Sequence, residues 1–483
     1  MTDDSQTIEI PHASMRELRS RGELPSTKEG LAIELVLRVG DLLAASGAGA
    51  KDTVLVMRRV CQAYGLERAQ LDVTANVIQA SYYPGEGMPP VSSFRTVSPT
   101  APNLSMIYAV NALVDQISTG LGLGRATRRF DVIRRQAYPY PAWLAGLAGG
   151  GISMSVQLFY TTNPRMLILA FITGYLLNRF VYALGRTGLP PFFQQLFGSW
   201  MIVAFAALFT WLNGQTWFHT VGYVSPTIIA VGCVFQLVMG ARFVSGIQDA
   251  IDGFYVTAAA RIMAVVILTA GLVVGLVSGL DLARRLGMNV YIASNSPVFG
   301  AVWGQVLAAV GTAVFSAVSF FANRRTIALT AVAAALGWGM YLLCVHFSLG
   351  VIAANFLGPL LAAMAVTVVV SKETKIPAFG VINAVGIPFV PGLMLYLGLL
   401  QLVGSTSAAA DPGQGGATLG LAASVALAIA AGASLGVFLG SPLREKLMLM
   451  PRSWSQRLGK QVALSKKAHP AGQARQLKLI EHE

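Results

Sequence analysis

The chain has 483 residues, of which 54% are hydrophobic and only 12% charged, about half the ~25% charged fraction of ordinary soluble domains. Its formal net charge of +13 could serve nucleic acid, but the basic residues flank apolar runs and form no aromatic-interleaved face, so they read as topology signals of a membrane protein. Cys61, Cys233 and Cys344 stand far apart and match neither a disulfide framework nor a zinc-ligand spacing.

Charge divides the chain into three zones: residues 1–140 hold 15 basic and 14 acidic residues, 141–440 hold 11 and 5, and 441–483 hold 9 and 3. Residues 1–24 carry Asp3, Asp4, Glu9, Arg16 and Arg19 without an apolar core, which reads as a disordered cytoplasmic tail and not as a cleaved signal peptide. A soluble α+β domain is expected over 25–140. Leu31, Leu35, Val39, Leu42 and Leu43 recur at helical spacing after Ser26 and Thr27, and Gly47 ends that helix. A second helix over 51–64 stops at Gly65. Residues 71–83 and 91–97, rich in Val, Thr, Ile and Tyr around a Pro84-Gly85 to Pro89-Pro90 turn, predict a strand hairpin. Helices follow over 105–118 and 126–137, the last leading Arg128, Arg129, Arg134 and Arg135 toward the membrane.

Crossing a bilayer takes ~20 apolar residues. On that ruler ten candidate spans lie near 142–160, 165–184, 193–213, 226–247, 254–279, 298–321, 326–345, 349–370, 376–402 and 417–440. With the soluble domain inside, the inner loops carry Arg179 with Arg186, Arg242 with Arg261, Arg324 with Arg325, and Lys372 with Lys375, followed by the basic tail 441–483. The outer loops carry only Arg165, Arg284 and Arg285. Because Lys and Arg are retained on the cytoplasmic side, both termini are expected in the cytoplasm and the chain in the inner membrane.

Ten spans divide into halves 141–285 and 286–440, and five spans per half invert the second half relative to the first. Pro226 to Gly240 in span four aligns with Pro377 to Gly392 in span nine. Span nine also contains Gly386-Ile387-Pro388 and Pro391-Gly392, which should break the helix and leave backbone groups that only a polar cavity can satisfy. Corresponding interrupted segments in two halves point to a transporter's binding site, while a kink used for packing is the plainer alternative. Asp249 and Asp252 are the carboxylates near a cytoplasmic span end, flanked by Arg242 and Arg261, and could carry a proton or simply pair with those arginines in a loop. Gly149–Gly151 reads as a helix-contact surface. No GxxxxGK[ST] loop, GxSxG elbow or HExxH helix occurs, so ATP-driven transport and the familiar hydrolase mechanisms lack their sequence support.

Five stretches, in order, carry a family resemblance. They are Arg38-Val-Gly-Asp-Leu-Leu-Ala-Ala-Ser46-Gly47, Tyr64-Gly65-Leu66, Leu184-Gly-Arg-Thr-Gly-Leu-Pro190-Pro-Phe-Phe-Gln194, Gln248-Asp249 with Val256-Thr257-Ala-Ala-Ala-Arg261, and Gly386-Ile-Pro-Phe-Val-Pro-Gly392. With them the chain resembles the threonine/serine exporter (ThrE) family. The resemblance implies ten spans in two related regions, a cytoplasmic N-terminal domain, and efflux of threonine and serine driven by the proton motive force. It leaves dicarboxylates such as succinate as an alternative cargo. A hydrolase-like role suggested for the family's soluble domain would fall on Asp41, Ser46 and Asp52, without a local His to complete a triad.

The expectation is therefore a secondary exporter, not an enzyme, working by alternating access, with a membrane-embedded enzyme or sensor and a passive channel as rivals. Its pocket draws on Gln236 and Gly240 of span four, Asn383, Gly386, Pro388, Pro391 and Gly392 of span nine, and the turn of Pro190 and Gln194 before span three. Asp249 or Asp252 would couple protons. The expected partners are a small-molecule substrate such as threonine or serine, protons and the lipid bilayer. A homo-oligomer is left open, and no cofactor, metal or nucleic acid is called for.

Overall fold

The computed structural model describes residues 28–84, 90–97, 102–135, 140–215, 224–238, 240–288, 299–369 and 412–449, with single positions between 385 and 401. Helix α1 (Lys28–Ala45) is the axis of the N-terminal domain: Leu35, Val36, Leu37 and Val39 are all sealed from solvent, more than one apolar stripe, so it packs on several sides. Gly47, at φ +90°, turns the chain into α2 (Ala50–Ala63), a conformation that a side chain would strain.

Instead of the expected two-stranded hairpin, a three-stranded antiparallel meander follows, β1 (Gln70–Thr74), β2 (Val77–Tyr82) and β3 (Val91–Thr96), in the order β1-β2-β3. The stretch read as one strand folds back at Ala75 and Asn76, with Ala75 at φ +51°, so that Val73 pairs with Ile78 and Gln79 with Phe94. Ile78 and Ala80 point into the core against α1, whereas Phe94 on β3 is exposed. Asn103 caps α3 (Leu104–Ser118) by accepting from the Met106 amide at 3.1 Å, and α4 (Leu123–Arg135) ends in Arg134 and Arg135.

The remaining described elements are α5 (Ala142–Leu158), α6 (Pro164–Arg186), α7 (Pro191–Asn213), α8 (Pro226–Leu237), α9 (Gly240–Ile251), α10 (Tyr255–Arg285), α11 (Val302–Ser319), α12 (Arg324–His346), α13 (Val351–Val369), a 3₁₀ turn (Ile387–Phe389) and α14 (Pro412–Leu449). Among the described residues, seven helices are long and apolar enough to cross a membrane, or eight if the bent pair α8 and α9 is one span. Helix α5 has 17 residues. The expected ninth span falls largely outside the described residues.

Small residues set the closest helix contacts. A Cβ on Gly271 of α10 would lie 2.8 Å from the Phe192 carbonyl oxygen of α7, and one on Gly275 would collide with the Leu196 carbonyl. In the second half, Cβ atoms on Gly432 and Gly436 of α14 would collide with the Phe356 and Leu360 carbonyls of α13. Both crossings bring backbone against backbone, the geometry by which membrane helices gain dispersion contacts that lipid would otherwise supply.

The N-terminal domain sits on two membrane-domain turns. At the turn between α9 and α10, the Thr257 hydroxyl donates to the Val73 carbonyl at 3.2 Å and accepts from the Ala75 amide at 3.0 Å. At the turn between α11 and α12, the Leu104 amide donates to the Phe320 carbonyl at 2.8 Å, and the Tyr140 hydroxyl reaches the Val318 carbonyl at 2.8 Å. Ala317 and Ala322 from that turn complete the N-terminal domain's own apolar core.

Candidate substrate site

Helix α8 stops at Leu237 and Val238 is extended (φ −70°, ψ 121°), and α9 leaves at a bend of 44°. No proline lies at this break, and Gly240 opens the next helix. A broken helix frees carbonyls that lipid cannot satisfy, and here a side chain from another helix takes one up. Gln195 of α7 donates its Nε2 to the Leu237 carbonyl at 3.0 Å.

One residue before the end of α8, Gln236 donates Nε2 to Ser153 Oγ of α5 at 2.5 Å and to the Gly174 carbonyl of α6 at 3.3 Å. Ser153 Oγ in turn donates to the Gly232 carbonyl at 2.8 Å. Gly174 permits this meeting, since a Cβ there would come within 2.7 Å of Gln236 Nε2. One turn along α5 from Ser153, Gln157 is fully buried, and neither its amide nitrogen nor its oxygen has a hydrogen-bond partner. The oxygen of Gln195 is also unpaired. Each buried polar group left in that state costs about 1–3 kcal/mol.

The described part of span nine lies nearby. Pro388, Phe389 and Pro391 are buried and Gly386 half-buried. The Phe389 ring centroid is 5.4 Å from Trp338 and 6.2 Å from Tyr341 of α12. Phe389 shares an apolar cluster with Val244 of α9, while Leu397 shares another with Cys233 and Leu237 of α8. The described residues of span nine thus share apolar clusters with both α8 and α9. Asn383 and Gly392 lie outside the described residues.

Pro190 and Gln194 sit elsewhere. Pro190 is exposed at the start of α7, and Gln194 donates to the Leu189 carbonyl of its own turn at 2.6 Å. Its neighbour Gln195 faces the break. Sequence reading missed Gln195, Ser153 and Gln157; their signal is an uncharged amide or hydroxyl inside a span that holds no charged residue.

Asp249 and Asp252 lie at the seat of the N-terminal domain. Asp249 accepts from the Ala50 amide at the first turn of α2 at 3.4 Å and pairs with Arg261 at 2.8 Å. Asp252 pairs with Lys51 at 2.6 Å. Asp52, on the same turn of α2, is pushed up to about 6 by burial and then by the nearby carboxylates of Asp252 and Asp249, with Lys51 opposing. Because the folded state holds this proton more tightly than the unfolded chain, whose carboxyl titrates near 3.8, the group favours folding below that range. Its contribution is lost as pH rises toward 6. The full chain's melting temperature, measured from pH 4 to 7, is expected to fall more steeply with rising pH than that of an Asp52→Asn variant, the two curves running parallel above 6.5. Asp41 belongs to a different charge cluster, with Arg95, Arg134, Arg38 and Glu34, and its carboxyl is also raised by burial. Asp41 and Asp52 are thus not assembled into one site, and the buried Ser46 uses its carbonyl to accept from the Asn103 amide.

Apolar helices of membrane-crossing length, one of them broken and lined by buried uncharged amides, define a multi-pass helical membrane protein with an internal polar site. Residues 34–283 match the family profile described as "Putative threonine/serine exporter", and residues 304–439 match that of "Threonine/Serine exporter, ThrE". The chain belongs to the threonine/serine exporter family. It is 28% identical over 444 residues to the "Probable threonine/serine exporter" of Mycobacterium tuberculosis, covering 90% of this chain and 81% of that one. It is also 28% identical over 439 residues to the "Threonine/serine exporter" of Corynebacterium glutamicum, covering 87% and 84%. No solved structure matches it.

Proposed function

We propose that the chain exports threonine and serine across the inner membrane by alternating access, driven by the proton motive force. The observation that carries this reading is the likeness to two threonine/serine exporters over nearly the whole chain, combined with a broken helix whose freed carbonyl and neighbouring amides lie inside the bundle. The substrate pocket lies where spans four and nine meet, drawing on Gln236 and Gly240, on Asn383 and Gly386, and on the backbone from Pro388 through Pro391 to Gly392. Pro190 and Gln194 belong to the turn that opens span three.

Ten spans follow if α5 and the segment 376–402 are added to the seven helices and the bent pair. An inverted five-plus-five arrangement is supported by the glycine crossings: α7 with α10 joins spans three and five, and α13 with α14 joins spans eight and ten, each through glycines one helical turn apart pressed on carbonyls one turn apart. The boundary between the two profile matches, 283 against 304, falls at the same division. Cytoplasmic termini are supported by the basic loops and by the docking of the N-terminal domain at the α9–α10 and α11–α12 turns, next to Arg261 near the start of α10 and to Arg324 with Arg325 at the start of α12. Asp249 or Asp252 passes the coupling proton.

The test is uptake of labelled threonine, serine and succinate by inverted membrane vesicles, with and without an imposed proton gradient. Gradient-dependent accumulation of threonine or serine is expected. Accumulation of succinate alone would replace the cargo with a dicarboxylate, and equilibration without a gradient would make the protein a channel.

A further inference from the structure

We infer that Gln157, Ser153, Gln236 and Gln195 form one uncharged hydrogen-bonding track that holds the substrate, and that this track selects a net-neutral hydroxy amino acid over a dianion. The inference rests on the exporter reading and assigns residues to its site.

The four side chains come from three helices and line up along α8. Gln157 lies beside Gly232, where a Cβ would be 3.6 Å from its Oε1. Ser153 bridges the Gly232 carbonyl and Gln236. Gln195 closes the row at the Leu237 carbonyl. The two ends are under-used. Gln157 has no partner for either amide atom, and Gln195 has none for its oxygen, although both are more than nine-tenths buried.

A buried amide with unused donor and acceptor, in a segment where lipid offers neither, is a group built for a visitor that brings both. A zwitterion with a hydroxyl brings an ammonium and a hydroxyl to donate and a carboxylate to accept. A dianion brings only acceptors and two charges. The segments α5, α7 and α8 contain no Asp, Glu, Lys or Arg, and Arg179 of α6 is exposed and stacks over the Tyr182 ring at 5.4 Å. These three helices therefore supply no charge of their own to offset two carboxylates, whereas a zwitterion arrives already neutral.

The experiment uses full-length protein reconstituted in lipid nanodiscs, with labelled serine binding competed by threonine or succinate, and a thermal melt of each variant. Gln157→Met keeps the volume and removes the unpaired amide. It is expected to weaken serine binding at least tenfold while leaving the melting temperature equal to or above wild type, a combination that a merely structural glutamine would not give. Gln195→Met is also expected to weaken serine binding, with a lowered melting temperature because the Leu237 carbonyl loses its donor, and its binding readout serves if the first variant does not fold. Threonine should compete in wild type and succinate should not. Wild-type serine affinity in the folded variants would overturn the track while leaving the exporter reading standing. Wild-type protein that binds succinate and neither serine nor threonine would overturn both.

Discussion

Gly432→Val is expected to yield little or no monodisperse protein. Gly432 faces the Phe356 carbonyl of α13 so closely that even a methyl group would collide with backbone, which cannot rotate away as a side chain can. Overpacking a core by a few methylenes costs ~1–3 kcal/mol where side chains can adjust. Here the two helices must separate, which gives up contacts along the whole α13–α14 crossing, and total stabilities are only about 5–15 kcal/mol. Gly420→Val on the same helix is the control, since a Cβ there meets nothing within 4 Å. Size-exclusion profiles and melts of the two variants check the expectation, and a folded Gly432→Val protein with wild-type stability would mean that this crossing is looser than described.

Asp249→Asn should abolish uphill export while the protein still inserts and folds. Asp249 is 3% exposed, so its charge matters to its surroundings. Asparagine retains an acceptor for the Ala50 amide but no longer offers Arg261 a carboxylate, a loss worth about 1.5–3 kcal/mol for a charged hydrogen bond; Arg261 keeps some access to water, which lowers it. The decisive comparison is gradient-driven accumulation against gradient-free exchange of labelled serine. A coupling residue loses the first and keeps the second. A variant that accumulates serine normally would reduce Asp249 to a docking contact between the N-terminal domain and the turn before α10.

Much of the N-terminal domain was legible because its signals are local: Gly47 and Gly65 end helices by their left-handed backbone, and the apolar spacing of α1 and α2 needs no tertiary information. The extra strand was missed because its turn is only Ala75-Asn76, in which the positive φ falls on Ala75 and a lone Asn is the single turn signal inside a Val, Thr and Ile-rich run. The seven helices of membrane-crossing length followed from hydropathy. The break in α8 did not, since Gln236-Leu237-Val238-Met239-Gly240 lacks proline and the freed carbonyl is satisfied from α7. Gln194 and Gln195 show how narrow the margin is. One position is about 100° around a helix, which separates a side chain that caps its own turn from one that reaches into the bundle. Arg242 and Arg261 were both legible as flanking arginines of Asp249 and Asp252, and Arg261 is the one paired with Asp249, but the partners across the domain boundary, Ala50 and Lys51, lie about two hundred positions away in sequence. Nothing local could name them.

The absence of formal charge along α5, α7 and α8 bears on the electrical work of transport. Moving one elementary charge through a membrane potential of 100 mV takes about 2.3 kcal/mol. A zwitterion passing an uncharged track moves none, so the voltage neither helps nor hinders the cargo itself. Under the proposed coupling, the voltage would then act on the exporter only through the proton.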